Sequence, residues 1–239
     1  MAPSQCRRIH LDHRSPDRVP VAATLLRAGA AGRFCQGLIN VEAGEEREGA
    51  PPRLVHALTI RVARPDEWQH SRQLRLEMLA DTPHSFGDRL CDVMEWDDDR
   101  WITRHESELL PDSAVFVAVE PDGRWVGQMA VREFHNYSPP RAWLMGVYVT
   151  PGHRGDGTAT QLMEAVRSWT AERGFDQLFL DVHENAHPAH RFYERLGFIP
   201  TGHSSPYPLD PTTSELEMVT PIMGGGGARD AAGTPTARC

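Results

Sequence analysis

"VYVTPGHRGDGTATQLMEAV" (residues 147–166) reads as a strand, a glycine-rich turn and a helix. The strand ends at Val149, the turn holds Gly152, Gly155 and Gly157, and the helix starts near Thr158. Ala159, Leu162, Met163, Val166 and Trp169 then recur at helical spacing, and Gly174 suits the position just past the helix. Such a turn is built for an anion. Glycines reach positive φ and let a ligand approach the main chain. The first amides of a helix have no internal acceptors, and the helix dipole favours negative charge beside them. Arg154 adds a cation, so a pyrophosphate is the natural guest. The spacing G-x-x-G-x-G is not the G-x-G-x-x-G of a dinucleotide domain, although Asp181 stands where a ribose contact would fall.

Working outward, "QLFLDV" (177–182) is nearly all apolar, as a buried strand requires, and "RAWLMGVYV" (141–149) is a further strand. "AVFVAVE", "PDG" and "RWVGQMAVREF" form a hairpin. "LTIRVA" is a strand; helices follow in "RPDEWQHSRQLRLEMLADTP", stopped by Pro83, and in "WDDDRWITRHESELL", ended by Pro111. "PAHRFYERLG" is a short helix, and "FIPTGH" and "SELEMVTPI" supply the last two strands. Helices alternate with strands only in the second half, which predicts a mixed sheet in an α/β (α+β) domain. Residues 1–55 lack a sustained period and read as a disordered extension, 56–223 as the domain, and 224–239 as a flexible tail.

"HENAH" (183–187) spells H-E-x-x-H, which binds zinc only when both histidines share one helix face. Here Pro188 follows His187. A residue before proline is pushed out of the α region, and proline suits a helix's first turn. The helix is therefore expected to begin near Pro188, leaving 183–187 as a loop. A zinc hydrolase is thus a remote alternative, and no metal is expected.

The formal net charge of −8 argues against a nucleic-acid partner and suits a cationic substrate or simple solubility. All 25 basic residues are arginine, so no lysine is available as base or Schiff-base former. Cys6, Cys35, Cys91 and Cys239 form no C-x-x-C pair, which supports neither a disulfide framework nor a zinc knuckle and fits a reducing cytoplasm. No apolar run approaches the roughly 20 residues of a membrane span.

R-x-x-G-x-A (Arg154, Gly157, Ala159) after "VYVTP", with "RFYERLGF" some way downstream, resembles the GNAT N-acetyltransferase superfamily. "RPDEWQHSRQLRLEMLADTPHSFGDRL" and "ELEMVTPI" resemble the start and last strand of its bacterial members, so the likeness spans about residues 56–222. It implies a mostly antiparallel sheet of six to seven strands with about four helices and a splayed parallel pair, here "RAWLMGVYV" and "QLFLDV". Gly146 would mark a bulge. Acetyl-CoA would lie in the gap as co-substrate, its pantetheine arm paired with main chain at Val147, Tyr148 and Val149. Its pyrophosphate would sit on the segment Arg154, Gly155, Asp156, Gly157, Thr158 and Ala159, with Thr160.

The resemblance further implies direct attack by a primary amine, with the Val149 amide stabilising the oxyanion and Tyr193 protonating the departing thiolate. Asn185 resembles a cofactor-contacting asparagine, although that position, counted back from "LGF", falls on Ala186. The usual basic glutamate position holds Trp143, leaving Glu133 or His135 as substitutes. "MEWDDDRW" (94–101) and "FHNYSPPRAW" are candidate walls for the acceptor, a small molecule or a peptide amine. A silent acyl-CoA-binding module is the alternative, and a homodimer is left open because relatives are often dimers.

Overall fold

The computed structural model describes residues 58–83 and 85–222. The extension and tail expected at 1–55 and 224–239 lie outside the described residues. Seven strands form one sheet in the order β1-β2-β3-β4-β5-β7-β6. They are β1 (Thr59–Val62), β2 (Ser113–Val119), β3 (Trp125–Phe134), β4 (Arg141–Val149), β5 (Gln177–His183), β6 (Ile199–Tyr207) and β7 (Asp210–Pro221). Every neighbouring pair is antiparallel except β4 and β5. The sheet is open and mixed, as expected.

Among the described residues five α-helices cover it: α1 (Trp68–Asp81), α2 (Leu90–Met94), α3 (Asp98–Glu108), α4 (Thr158–Glu172) and α5 (His187–Arg195). Only the five-residue α2 was not foreseen. Two apolar clusters divide the sides. On one, α4 and α5 bring Leu162, Met163, Val166, Phe192 and Tyr193 against Leu144, Val147, Leu180 and Val182. On the other, α1 to α3 bring Leu74, Met78, Val93 and Trp101 against Val117, Trp143, Tyr148 and Phe179.

"MEWDDDRW" is a helix start and not a charged wall. Asp97 caps α3 by accepting from the Arg100 amide at 2.9 Å, Asp98 pairs with Arg72, and Trp96 packs on Trp101. Cys91 is disulfide-bonded, which the cysteine spacing did not lead one to expect. Among the described residues no helix is long and apolar enough to cross a membrane.

Candidate active site

β4 and β5 touch along only two rows, Ala142 with Leu178 and Trp143 with Phe179. Stacked rings of Trp143 and Phe179, 5.5 Å apart, close the lower end. Above that floor β4 follows β3 and β5 follows β7, so the parallel pair opens into a gap. A bulge contributes. Gln128 pairs with Tyr148 and Ala130 with Met145, so Met129 faces both Gly146 and Val147. Gly146 sits at φ +56°, and the Gln128 side-chain amide donates to its carbonyl at 3.2 Å.

The extra residue inverts the alternation of β4. Ala142 and Leu144 belong to the α4 side below the bulge, and Val147 and Val149 above it. Main-chain directions follow from the ladder. The Thr150 amide donates to Val126 at 2.8 Å, toward β3. Groups alternate along a strand, so Tyr148 also turns its main chain to β3, while those of Val147 and Val149 face the gap. The main-chain groups of Val147 and Val149 thus face the gap. Those of Tyr148 are spent in the sheet, and its ring lies under α1, donating to Glu77 Oε1 at 3.3 Å.

The gap leads to the glycine turn. Gly155 and Gly157 hold φ of +82° and +94°, and a Cβ on either would meet nothing within 4 Å. Conformation and not space makes them glycine. Asp156 fastens the turn. Its Oδ1 accepts from the Thr158 amide and hydroxyl at 3.0 and 2.6 Å, and its Oδ2 faces His153 Nδ1 at 3.0 Å. His153 Nε2 reaches Glu120 at 3.1 Å, tying the turn to the β2–β3 hairpin. Partial burial alone would push the Asp156 carboxyl up, but the hydrogen bonds from Thr158 and His153 together outweigh it and hold the group below its ordinary range.

A cleft of 360 Å³ opens here, lined by Val149, Arg154, Gly155, Gly157, Ala159 and Thr160 from the turn and by Phe192, Arg195 and Leu196 from α5. The amides of Ala159 and Thr160, in the first turn of α4, lie beyond the reach of intrahelical bonding. Two expected contacts are corrected. The Thr158 amide is taken by Asp156, so it is not offered to a ligand. The Arg154 guanidinium is a strut: Nε donates to the Val149 carbonyl at 3.1 Å, and Nη2 pairs with Asp81 at the end of α1. Its charge is matched by Asp81.

Arg195 instead lines the cleft without an ion pair among the described residues. The sequence reading passed over it. The signal was present, because Phe192, Arg195 and Leu196 are spaced i, i+3, i+4 and share one helix face.

Tyr193 is 1% exposed, edge-on to Phe192 and Phe198, within the cluster that contains Val147 and Leu180. Burial pushes its phenol well above the ordinary range, so it holds its proton. Glu133 is not brought into the site. It pairs with Ala142, opposite the lower end of β4, and its carboxylate binds Arg173 at 2.7 Å and His135 at 3.0 Å. Arg173 caps the C-terminus of α4, and 15 residues of helix separate that end from the turn. At 1.5 Å per residue this is roughly 20 Å. Asn185 also stands outside: it is exposed in the turn before α5, and its amide donates to His183 Nδ1 at 3.2 Å. Ala186, at the position counted from "LGF", is a core residue.

The zinc pattern is broken by the backbone, as the proline argument predicts. His183 ends β5, and α5 starts only at His187. His183 Nδ1 accepts from a main-chain amide, so Nε2 carries the hydrogen and donates to Thr213 at 3.1 Å. Among the described residues no group of three metal-ligating side chains occurs.

Comparison with known proteins agrees with this geometry. The family model described as "Acetyltransferase (GNAT) family" matches residues 75–198. Aminoglycoside N(6')-acetyltransferase type 1 of Stenotrophomonas maltophilia is 31% identical over 150 residues, covering 61% of this chain and 88% of the relative. Streptothricin acetyltransferase of Streptomyces lavendulae is 39% identical over 89 residues, covering 36% of this chain and 45% of the relative. The solved structure of spermidine N-acetyltransferase from Vibrio cholerae, in complex with CoA and spermine, superposes with a TM-score of 0.54 at 15% identity. It covers 69% of this chain and 95% of its own, a likeness of fold. A gap between parallel strands, a glycine turn at its mouth and a family match across both lead to one statement: the chain belongs to the acetyltransferase (GNAT) family and is of the N-acetyltransferase class.

Proposed function

We propose that the chain transfers an acetyl group from acetyl-CoA to a primary amine of a small cationic acceptor by direct attack. The observation that carries this reading is the splay. Two strands paired only at Ala142–Leu178 and Trp143–Phe179 diverge toward a turn with unpaired helix amides. The gap-facing groups of Val147 and Val149 fit an extended amide-bearing arm, joined as an added strand. The Val149 carbonyl is already engaged by Arg154, so its N–H is the group left for a ligand. The turn and Arg195 fit a pyrophosphate. Acetyl-CoA supplies a thioester activated toward amines.

Tyr193 suits the acid role because burial keeps its phenol protonated and it belongs to the apolar cluster that also holds Val147, at the gap where a thiolate would depart. The relatives named above act on aminoglycosides, streptothricin and spermidine, all polycations, which agrees with the net charge of −8. The acceptor side is the α1 side, opposite the α4 cluster.

One observation favours a second reading, a silent acyl-CoA-binding module: Trp143, which the resemblance sets at the family's glutamate position, is buried in the floor and offers no proton acceptor. Thermal-shift measurements with acetyl-CoA and NAD, then thiol release across an amine panel, separate the two. Acetyl transfer requires a shift with acetyl-CoA and turnover on at least one amine. A shift without turnover leaves the module, and no shift removes both. Tyr193→Phe is expected to keep acetyl-CoA affinity and lower kcat about 100-fold, the scale of a lost general acid; unchanged kcat rejects the acid role.

A further inference from the structure

The α1 side of the splay has a second wall made of carboxylates. On β5, Asp181 is the next side chain above Phe179 on that side, about 7 Å beyond the aromatic floor by the strand repeat. β7 places Glu217 opposite Asp181 and Glu215 opposite His183, so Glu215 is the diagonal neighbour of Asp181. Glu215 is 8% exposed, and its carboxylate makes no hydrogen bond or ion pair among the described residues. The Glu217 Oε1 atom is likewise buried without a partner, although Oε2 holds Arg141 at 3.2 Å.

The surrounding groups do not supply the missing cation. His183 is engaged on both ring nitrogens, Nδ1 by the Asn185 amide and Nε2 by Thr213, and packs edge-on to Tyr207. Tyr207 donates to the Phe86 carbonyl at 3.1 Å. Arg75, from α1, lies over Phe86 and is paired with Asp88 at 2.7 Å. Arg141 stays with Glu217 and the rings of Tyr137 and Phe179. Burial first, and then the charge of Asp181, push Glu215 up to about 8. A buried acid without a cation, beside another acid, costs stability and calls for an external positive group.

We infer that Glu215 and Asp181 form the seat of the acceptor's ammonium group, and that Glu215 takes the proton that frees the attacking amine. The inference rests on the acetyl-transfer reading and adds the residues that select and activate its acceptor. The ammonium N–H bond breaks and its proton passes to the Glu215 carboxylate. The freed nitrogen pair forms the C–N bond to the thioester carbonyl, and the C–S bond breaks. The second nitrogen proton accompanies the thiolate as thiol, and Glu215 returns its proton to water. Glu77 and Asp81, on the facing end of α1, are already held by Tyr148 and Arg154 and serve as the opposite rim.

The experiment uses the full chain and its Glu215→Gln and Asp181→Asn variants. Spermine and streptothricin are the polycationic probes, and benzylamine is the monocation. Binding is read by calorimetry in the presence of CoA, and kcat/KM is followed from pH 6 to 9.5. Wild type is expected to bind spermine or streptothricin, with kcat/KM rising through about pH 8. Glu215→Gln is expected to weaken that binding about 30-fold, the range of a lost charge-assisted bond, and to flatten the rise. Asp181→Asn is expected to weaken binding while shifting the rise to lower pH, because Glu215 then ionises more easily. A Glu215→Gln protein that keeps both affinity and pH profile overturns the inference, as does a wild type that binds acetyl-CoA but none of the three amines. Absence of an acetyl-CoA shift, by contrast, strikes the underlying reading, and spermine binding by wild type and variants then decides the seat alone.

Discussion

The two walls of the splay treat charge in opposite ways. On the β4 and α1 wall every charge meets a partner: Arg154 spans the Val149 carbonyl and Asp81, and Glu77 accepts from Tyr148. On the β5 and β7 wall, Glu215 has neither cation nor donor among the described residues, and one oxygen of Glu217 is stranded. Coulomb's law makes the first arrangement a clamp and the second a load on the fold. A wall that stabilises the domain and a wall that strains it, facing each other across a gap, mark which side is scaffold and which awaits a ligand. That division can be broken by substitution.

The largest effect is expected at the bulge that separates the walls. Gly146 sits at φ +56°, and a Cβ there would lie 3.1 Å from the Gln128 side-chain nitrogen. A β-branched residue resists this backbone and must also displace Gln128. Gly146→Val is expected to cost about 3 kcal/mol and to abolish acetyl transfer, because relief comes by restoring regular β4 pairing and turning Val147 and Val149 out of register. Chemical denaturation with thiol-release assays checks both. A stable and active valine variant would mean the gap does not depend on the bulge.

A pair of arginines sharpens the contrast. Arg154 is bound on the satisfied wall, whereas Arg195 stands at the cleft without an ion pair among the described residues. Arg154→Gln is expected to lower stability by about 2 kcal/mol, since Asp81 keeps a half-buried charge without its partner, and to change the KM for acetyl-CoA only a few-fold. Arg195→Gln is expected to leave stability within about 0.5 kcal/mol and to raise that KM about tenfold, with weaker salt dependence. Equal KM effects would return Arg154 to the phosphate role that the sequence suggested.

The α4 side was largely legible in the sequence because its chemistry is local. One continuous run carries the strand, the glycines and the helix start, and main-chain amides need no side-chain identity to be read. Pro188 likewise placed the start of α5 within one residue and disarmed "HENAH". What the sequence withheld was side-chain direction and long-range partnership. Arg154 reads as a phosphate cation until Asp81, 73 residues away, is seen to hold it. Glu133 reads as a base until the register sends it to the lower end of the sheet. The acidic run at 97–99 draws attention by density, yet it caps a helix. Asp181 and Glu215, 34 positions apart in sequence, meet only because β7 returns beside β5.

The smallest effect is measured without any ligand. Glu215 is raised in the folded chain from the ordinary 4.5 to about 8. Below pH 4.5 the group is neutral in both states and its burial carries no ionisation penalty. As pH rises toward 8 the unfolded chain ionises and the folded chain does not, so this contribution to stability is progressively lost, and above 8 the loss is complete. Glu215→Gln keeps the shape and removes the titration. It is therefore expected to unfold at higher temperature than wild type at pH 8, by about 5 °C, and to show little difference at pH 4.5. Scanning calorimetry at the two values reads the difference directly. A glutamine variant no more stable at pH 8 than wild type would show that a cation already sits against Glu215, and the contrast between the two walls would then vanish.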